Sequence, residues 1–565
     1  MLHSKNTNLK TWVTSGELWI WLNAAAVGIS ITAVGGLLGL IAVRGLAHFW
    51  PADVAAIHYE SASGVAAYAL GEVVETESLL LDQYRSATGD TDDFPADVEV
   101  IERSLIKTGN RRVDPPDFQW IYSHRIASIG YPDEAAVFER MEWGNAYGVL
   151  EKVLFDGSVV AEADTAWTEF HMRLERVETL REAIARIERG EFNTINYALE
   201  QIRIERRRLE LDTTLTDAAR ERSEAALRSQ TDALTVRYTL AETDLAALIE
   251  DLQRDAIEIT ISTGATLTIP FADVVRGWQP NRMSVIAKLK HYFFSVWLFL
   301  TDDPREANTE GGILPAIFGT VLMVLLMSVL VTPLGVVAAV YLREYARQGA
   351  FVQLIRIAVN NLAGVPSIVY GVFGLGFFVY FLGGNLDALF FEAALPAPTF
   401  GTPGLVWASL TLALLTVPVV IVSTEEGLTR IPRSIREGSL ALGATKAETL
   451  FKVVLPVASP SIFTGVILAV ARAAGEVAPL MLVGVVKLAP TLPLDGNFPY
   501  LHLERKFMHL GFHIYDVGFQ SPNVDAARPL VYATALLLVL LIVGLNLTAI
   551  MLRTRLEDRY RGVES

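Results

Sequence analysis

Six long hydrophobic runs dominate the chain, and a polar stretch of residues 44–312 separates the first run from the second. A membrane-spanning helix needs about 20 mostly apolar residues, and each run comes close to or exceeds that length. The pattern therefore predicts spans at residues 18–43, 313–342, 357–386, 405–422, 457–486 and 529–552. The first run has no charge and no small-residue cleavage site, so we interpret it as an anchor and not as a signal peptide.

The polar stretch has the pattern of a water-exposed domain. At residues 164–256 apolar positions recur every three or four residues, which predicts two or three antiparallel helices, partly coiled-coil, with a break near Gly190 and Asn193. Residues 257–261 and 266–269 alternate between apolar and polar around a short turn, which predicts a β-hairpin. Residues 59–164 give weaker signals.

These patterns divide the chain into three regions and predict a mainly α fold. Residues 1–43 hold an N-terminal tail and the first span, residues 44–312 form the insertion, and residues 313–565 form a core with five spans. The expected architecture is a polytopic helical membrane protein with a large α-rich insertion that contains a small β-hairpin. Near the end of the insertion, residues 291–300 (HYFFSVWLFL) are too short to span and predict an interfacial helix.

Composition narrows the chemistry that this chain can perform. The net charge is −16 over 565 residues, and residues 44–310 alone hold 28 Lys and Arg against 47 Asp and Glu. The acidic excess therefore belongs to the insertion, and nothing in it favours nucleic-acid binding. The sequence contains no cysteine. Disulfides, thiol catalysis and Cys-ligated metal sites are thereby excluded.

Lys and Arg near the span ends predict the orientation, because such residues favour the cytoplasmic side. They occur in the N-terminal tail, after the second, fourth and sixth runs, but not between the third and fourth runs. We therefore expect both termini in the cytoplasm and residues 44–312 outside. The last outer loop fits less well, since it carries Lys487, Arg505, Lys506 and Arg528.

The connection at residues 424–456 (TEEGLTRIPRSIREGSLALGATKAETLFKVVLP) is polar and basic. Pro432 predicts the start of a helix, Gly443 permits a tight turn, and Pro456 is expected to begin the next span. Exposed side chains around Leu440 could enter a hydrophobic groove of a partner. An ordinary cytoplasmic connection is the alternative interpretation.

Two charged residues interrupt the fifth hydrophobic run. Arg472 and Glu476 are four residues apart, which predicts that they share a helix face inside the membrane. A charge there costs about 2.5–3.5 kcal/mol on insertion scales, so such residues usually face a polar cavity or a transport path. The arginine fork suits a phosphate or sulfate oxyanion. A mutual ion pair that only holds the helices together is the alternative.

Two prolines are further candidates for path-lining positions. Pro366 and Pro418 fall inside the third and fourth runs, where a proline removes one helical hydrogen bond. A simple packing kink is the other explanation. His509 and His513 have the i, i+4 spacing of some metal ligands, but we expect a structural cap over the path and no metal site.

The connection at residues 424–456 resembles the EAA loop of the membrane subunits of bacterial ABC importers. Glu437 stands where that family's glutamate usually stands, Gly443 matches, and so does the Leu455-Pro456 end. Gly438 and Ser439 replace two common alanines, which is a mild departure because all these residues are small. The resemblance implies that Glu437, Leu440, Gly443, Ala444 and Pro456 couple the chain to an ATPase.

Other segments resemble the permeases of phosphate-specific ABC importers. These are residues 364–371 (GVPSIVYG) and residues 471–480 (ARAAGEVAPL), while residues 306–312 (EANTEGG) and residues 523–534 (NVDAARPLVYAT) are similar to the PstA type. The resemblance covers about residues 277–561, and the insertion resembles the N-terminal extension of the longer members. It implies a type I ABC importer permease core with five spans in residues 313–565.

This resemblance also implies partners and location. A PstC-type permease would complete the path, a PstB-type ATPase dimer would bind ATP and Mg²⁺ below, and a PstS-type phosphate-binding protein would dock outside. This chain would bind no cofactor and would not be an enzyme. It would lie in the bacterial inner membrane, and a regulatory protein linked to phosphate signalling is a further possible partner. Sulfate or molybdate import, and phosphate sensing, stay open as alternatives.

Overall fold

The computed structural model describes residues 16–61, 64–88, 94, 98–110, 113, 117–489, 491–521 and 524–561. Lys5 and Lys10, the basic residues of the N-terminal tail that helped predict the orientation, lie outside these ranges. The helices are α1 (Glu17–Ala47), α2 (Leu81–Thr88), α3 (Ala166–Ala185), α4 (Phe192–Leu211), α5 (Asp217–Leu252), α6 (Val285–Thr301), α7 (Leu314–Val340), α8 (Ala350–Leu362), α9 (Ser367–Phe373), α10 (Gly384–Phe390), α11 (Leu405–Arg430), α12 (Arg433–Ala441), α13 (Lys446–Thr449), α14 (Leu455–Ala474), α15 (Leu480–Val483), α16 (Leu510–Tyr515) and α17 (Val524–Arg561).

Six helical stretches in the described part of the chain are long and apolar enough to cross a membrane, which confirms the mainly α polytopic fold. They are Leu18–Ala47, Leu314–Tyr345, Ser367–Phe390, Leu405–Arg430, Lys446–Ala474 and Ala527–Arg555. Short π-helical turns join α9 to α10 and α13 to α14, so each of these pairs forms one stretch.

Three predicted spans differ from the structure, and the fourth differs because it continues to Arg430 and not only to residue 422. The third begins at Ser367 and not near residue 357, because Gly364 and Pro366 separate it from α8, a distinct amphipathic helix. The fifth ends at Ala474 and not at residue 486, because the helix stops at Gly475 and the chain then turns before α15. Proline at 479 also lacks the N–H that a continuous helix would need.

The fourth span forms the centre of the membrane core. Leu405, Leu412 and Ala413 on α11 are fully buried, and α11 packs between α7 and α14. Glycine permits the close approach on one side: a Cβ at Gly335 of α7 would lie 2.6 Å from Val420. The first span is peripheral, and it contacts α17 where Gly45 meets the backbone of Tyr532.

The insertion contains far more β-structure than the one predicted hairpin. Its strands are β1 (Val54–Glu60), β2 (Ala66–Leu80), β3 (Val100–Lys107), β4 (Phe118–Tyr122), β5 (Ile126–Gly130), β6 (Ala135–Arg140), β7 (Ala146–Phe155), β8 (Ser158–Glu162), β9 (Asp255–Thr260), β10 (Thr266–Pro270) and β11 (Val274–Trp278), with a short pair β12 (Pro304–Arg305) and β13 (Glu310–Gly311). One antiparallel sheet has the order β4-β3-β2-β1-β5, and a second has the order β10-β9-β7-β6-β11 with β8 beside β7. The predicted hairpin is β9–β10, in which Ile257 pairs with Ile269.

The predicted two or three antiparallel helices are present as α3, α4 and α5, but the break lies elsewhere. A π-helical turn at Arg186–Glu191 joins α3 to α4 without a break at Gly190 or Asn193, and the chain reverses after Leu211. Helix α5 then returns antiparallel to both, as expected for a coiled-coil hairpin. Helix α3 also covers the second sheet, where Phe170 and Val177 are fully buried.

The helical hairpin contacts two connecting loops of the core, both of which are predicted to be outer loops. Arg203 on α4 donates a hydrogen bond to the carbonyl oxygen of Ala394 at 2.8 Å, between the third and fourth spans. Tyr197 donates to the carbonyl oxygen of Phe498 in the last outer loop. The predicted interfacial helix is α6, which begins earlier than expected, at Val285. These contacts place the insertion over the side of the core that holds the connections after the third and fifth spans, which is the side predicted to face outside.

Candidate functional site

The predicted coupling segment, residues 424–456, begins in the last turns of α11 and ends at the start of α14, and between them it forms two short helices, α12 and α13, joined by a tight turn. Pro432 precedes α12, and Gly443 has a φ of 92°, in the left-handed region that favours glycine. Thr445 then begins α13 through a reciprocal capping box with Glu448. The Ser439 and Thr449 hydroxyl oxygens lie 2.9 Å apart and link the two helices. The predicted helix start and turn are therefore both present.

The side chains at the tip of this segment point into solvent. Leu442 is 91% exposed and Leu440 is 46% exposed. Glu437 is also exposed, and Ala444 is half-buried beside the turn. The structure thus brings together four of the five predicted coupling residues at one tip: Glu437, Leu440, Gly443 and Ala444. An exposed leucine at a helix end is a feature that a partner surface could bury.

Pro456 occupies a different place from the predicted one. It is the second residue of α14, but the helical stretch of the fifth span already begins at Lys446. The missing N–H of Pro456 is accommodated because a π-helical turn, Leu450–Val454, immediately precedes α14. Pro456 therefore lies within the helical stretch, about three turns from the coupling tip.

Arg436 anchors the coupling segment to the core. Its Nη1 donates to the Ile431 carbonyl oxygen at 2.9 Å, and its Nη2 donates to the Leu428 carbonyl oxygen at 2.6 Å. Nη2 also lies 2.9 Å from Glu344 Oε1, at the end of the second span. Lys446 donates to the Glu344 carbonyl oxygen at 2.5 Å. Both helices of the segment are thus fixed to the cytoplasmic end expected for the second span.

Arg436 is one of the basic residues after the fourth run that predicted the orientation, and its anchoring role was not predicted. One clue was available, because an arginine one turn inside a helix can reach the carbonyl groups of the preceding helix end. The partner Glu344 lies 92 residues away in the sequence, and no pattern linked the two.

Arg472 and Glu476 face each other, although they do not share one helix. Arg472 lies in the last turn of α14, and Glu476 follows the C-cap Gly475 in the turn beyond. Arg472 Nε lies 3.6 Å from Glu476 Oε1, and the two side chains are 33% and 21% exposed. The predicted continuous helix face is therefore wrong, but the predicted ion pair exists. Its partial exposure leaves room for a further ligand.

The two segments that resemble phosphate-importer signatures pack against each other. A Cβ at Gly371 would lie 2.7 Å from the Pro479 Cα and 3.0 Å from its carbonyl oxygen. Next to this contact Tyr370 is buried, and its hydroxyl donates to the Leu362 carbonyl oxygen at 2.6 Å. Only glycine allows the third span to approach the turn after Arg472 so closely.

The two prolines have unequal roles. Pro366 was predicted to lie inside a helix, but it is the exposed residue immediately before α9. Pro418 does lie inside α11, where it is buried. A buried proline in the central helix is a packing position, and a path-lining role gains no support from its surroundings.

The last outer loop is held by its histidines. His502 lies between Asp495 and Glu504, with both nitrogen–oxygen distances at 3.0 Å. His509 Nδ1 accepts a hydrogen bond from the Gly511 N–H at 3.1 Å and so caps α16. Burial lowers the pKa of His509 and His513 to about 4. Among the described residues, no group of three or more His, Cys, Asp or Glu is arranged to hold a metal ion.

Comparisons with known proteins identify relatives of the membrane core. Residues 331–562 match the family described as binding-protein-dependent transport system inner membrane component. The phosphate transport system permease protein PstA of Mycobacterium leprae is 36% identical over 271 residues, which cover 48% of this chain and 79% of that protein. PstA 1 of Mycobacterium tuberculosis H37Rv is 34% identical and covers 43% and 70%, respectively. PstA of Yersinia pestis is 33% identical and covers 45% and 77%.

Proposed function

Because this chain belongs to the PstA family of phosphate transport system permease proteins, we propose that it is the permease subunit of an ATP-driven importer of inorganic phosphate. In this proposal it forms half of the translocation path, and a homologous PstC-type permease forms the other half. The observation that carries the proposal is the partly exposed Arg472–Glu476 pair, which lies where the third span meets the turn after the fifth.

The chemistry of the pair suits phosphate. Arg472 can donate two parallel hydrogen bonds to phosphate oxygens, while Glu476 balances its charge when the path is empty. Glu476 can also accept a hydrogen bond from a protonated phosphate, which sulfate at neutral pH cannot offer. Exchange between Glu476 and the incoming anion would break only a weak contact, because the existing 3.6 Å distance is longer than a good charge-assisted hydrogen bond.

The coupling segment supplies the second part of the proposal. Leu442 and Leu440 would enter a groove on a PstB-type ATPase, of which two copies would bind ATP and Mg²⁺ and perform the hydrolysis. Arg436 would transmit their movement to the second and fourth spans through Glu344 and the end of α11. The spans would then alternate between outward and inward openings. This chain itself would bind no cofactor and catalyse no reaction.

The proposal fixes a location and an orientation. The chain would lie in the bacterial inner membrane with both termini in the cytoplasm and residues 44–312 in the periplasm. A PstS-type phosphate-binding protein would deliver phosphate to the outer side. A regulatory protein that reports phosphate supply could contact the assembled transporter.

Labelled-phosphate uptake with competing anions tests the substrate. Cells that lack their own high-affinity importer would carry the partner subunits with or without this chain. We expect uptake that depends on this chain and that unlabelled phosphate, but not sulfate or molybdate, suppresses. Suppression by sulfate or molybdate at equal concentration would move the proposal to that anion. Glu476→Gln should erode the preference for phosphate over sulfate, and unchanged selectivity would contradict the role given to Glu476.

A further inference from the structure

A cavity of about 830 Å³ lies between the insertion and the outer ends of the first and sixth spans. Its lining comes from both β-sheets, the end of α1, helix α6 and the start of α17. Neither Arg472 nor Glu476 lines it, so it is distinct from the candidate transport path. Its volume lies within the range of about 300–1,000 Å³ that is typical of small-molecule sites.

The lining changes in character from one side to the other. The membrane elements contribute mostly apolar and aromatic side chains, including Phe49, Phe299 and Tyr532, together with the basic Arg44 and Arg528. The sheets contribute charged side chains, such as Lys107 and Glu139. An occupant should therefore be amphipathic, with its polar end toward the sheets.

Helix α6 supports a membrane-interface position for this cavity. Its inner side contributes Ser295 and Phe299 to the lining, while Ile286, Phe293 and Trp297 are exposed on its other side. An apolar helix face beside two span ends is typical of an element that lies in the lipid head-group region. This arrangement favours a cavity position at the depth of the lipid head groups.

The charges in the cavity are only partly matched. Glu139 binds both Arg276 and Arg305, so one carboxylate serves two guanidinium groups. Burial alone would raise the pKa of Glu139, but these two arginines bring it below its ordinary value. Among the described residues, Arg305 Nε and Nη1 are buried without a hydrogen-bond partner, and so is Trp278 Nε1. Donors therefore remain for an anionic group.

An unmatched acceptor lies beside these donors. Glu310 is opposite Arg305 in the β12–β13 pair, so the two side chains start from adjacent positions. In the described part of the chain, Glu310 Oε2 is buried and has no hydrogen-bond partner. Burial raises the pKa of Glu310 to about 7. Buried polar atoms without partners are rare in folded proteins, and each calls for a water, an ion or a ligand.

We propose that this cavity binds an amphipathic zwitterion with a phosphoethanolamine head group, whose ammonium contacts Glu310 and whose phosphate contacts Arg305. Lys107 adds a further cation to the cavity lining. A free phosphate alone fits less well, because Glu72, Glu306 and Glu310 also line the cavity and would repel it. The aromatic side chains at the span ends then contact the glycerol and first acyl carbons of a lipid.

Binding to the full-length purified chain, after removal of copurified lipid, tests this inference. The probes are dioleoyl-phosphatidylethanolamine, dioleoyl-phosphatidylglycerol, which lacks the amine, and soluble phosphoethanolamine. Native mass spectrometry would count the bound lipids and give their dissociation constants. We expect phosphatidylethanolamine to bind at least about tenfold more tightly than phosphatidylglycerol, since one charge-assisted hydrogen bond distinguishes them. This comparison needs no variant.

A matched pair of variants locates the site. Glu310→Gln should weaken phosphatidylethanolamine binding about tenfold or more, while the exposed control Glu221→Gln should stay within about twofold of the native chain. Displacement by soluble phosphoethanolamine would identify a free head group as the ligand source, and no displacement would identify a membrane lipid. Equal binding of both lipids, or binding that Glu310→Gln leaves unchanged, would overturn the proposal.

Discussion

Leu442 offers a direct test of the docking surface on the coupling segment. Its side chain is 91% exposed in the chain alone, whereas Leu440 is 46% exposed. Leu442→Ala should therefore change the stability of the folded chain by no more than about 0.5 kcal/mol. If a groove of the ATPase buries Leu442 in the complex, the same substitution should weaken the complex strongly.

The size of the effect follows from the buried carbon atoms. Leucine to alanine removes three carbons, which at about 0.8 kcal/mol per buried group correspond to roughly 2.4 kcal/mol, or a roughly 50-fold weaker dissociation constant. Leu440 is already about half buried, so Leu440→Ala should lose roughly half that free energy on docking, or about sevenfold.

Titration of the purified chain with its purified partner ATPase measures these differences. The control is Leu240→Ala on α5, because Leu240 is 63% exposed but lies in the insertion, far along the chain from the coupling segment. The control should bind with native affinity. An Leu442→Ala chain that binds within about twofold of the native chain would refute docking through this side chain, as would an equal loss for the control.

Three further perturbations test individual parts of the structure. Arg436→Gln removes three hydrogen bonds of a charged group and should lower the free energy of unfolding by about 2–3 kcal/mol. The melting temperature should fall and amide exchange in α12 and α13 should become faster. Native values of both would contradict the anchoring role of Arg436. Gly371→Ala places a Cβ 2.7 Å from the Pro479 Cα, so it should lower the free energy of unfolding by about 1–3 kcal/mol and reduce phosphate uptake. Gly376→Ala, at a position with no neighbour within 4 Å, should leave both unchanged. Equal uptake by the two variants would argue against close packing at Gly371. His509 has a pKa of about 4 in the folded chain against 6.5 in the unfolded chain. Its contribution to the free energy of unfolding is therefore fully present above pH 6.5. That contribution is lost as the pH falls toward 4, by up to about 3 kcal/mol. His509→Asn keeps a capping acceptor without a titrating ring, so its melting temperature should fall less between pH 7 and pH 5, and an unchanged slope would assign the acid sensitivity elsewhere.

Two kinds of element could be predicted from the sequence: long apolar helices, and strands that bury only one face. The β9–β10 hairpin was visible because its apolar residues alternate, with Ile257 and Ile259 buried and their neighbours less so. Strand β6 was not visible, because its first four residues, Ala135–Phe138, are all buried and leave no period of two. Tertiary packing, and not local pattern, decides such strands.

The candidate site was predictable at the level of residues but not of their geometry. The turn at Gly443 follows from a local conformational need that only glycine meets easily. The end of the fifth span at Gly475 is harder to predict, since the following residues are also apolar and resemble a continued helix. The anchor between Arg436 and Glu344 depends on two distant segments meeting, which one sequence cannot show.

Labelled-phosphate uptake by the Arg472→Gln chain tests the central claim most directly. Cells without a high-affinity importer of their own would carry the partner subunits with the native chain or the variant, at matched membrane levels. The account predicts uptake with the native chain and its loss with the variant, while the two chains assemble equally with their partners. Equal uptake by both chains would contradict a transport role for Arg472 and would leave its contact with Glu476 as a structural ion pair.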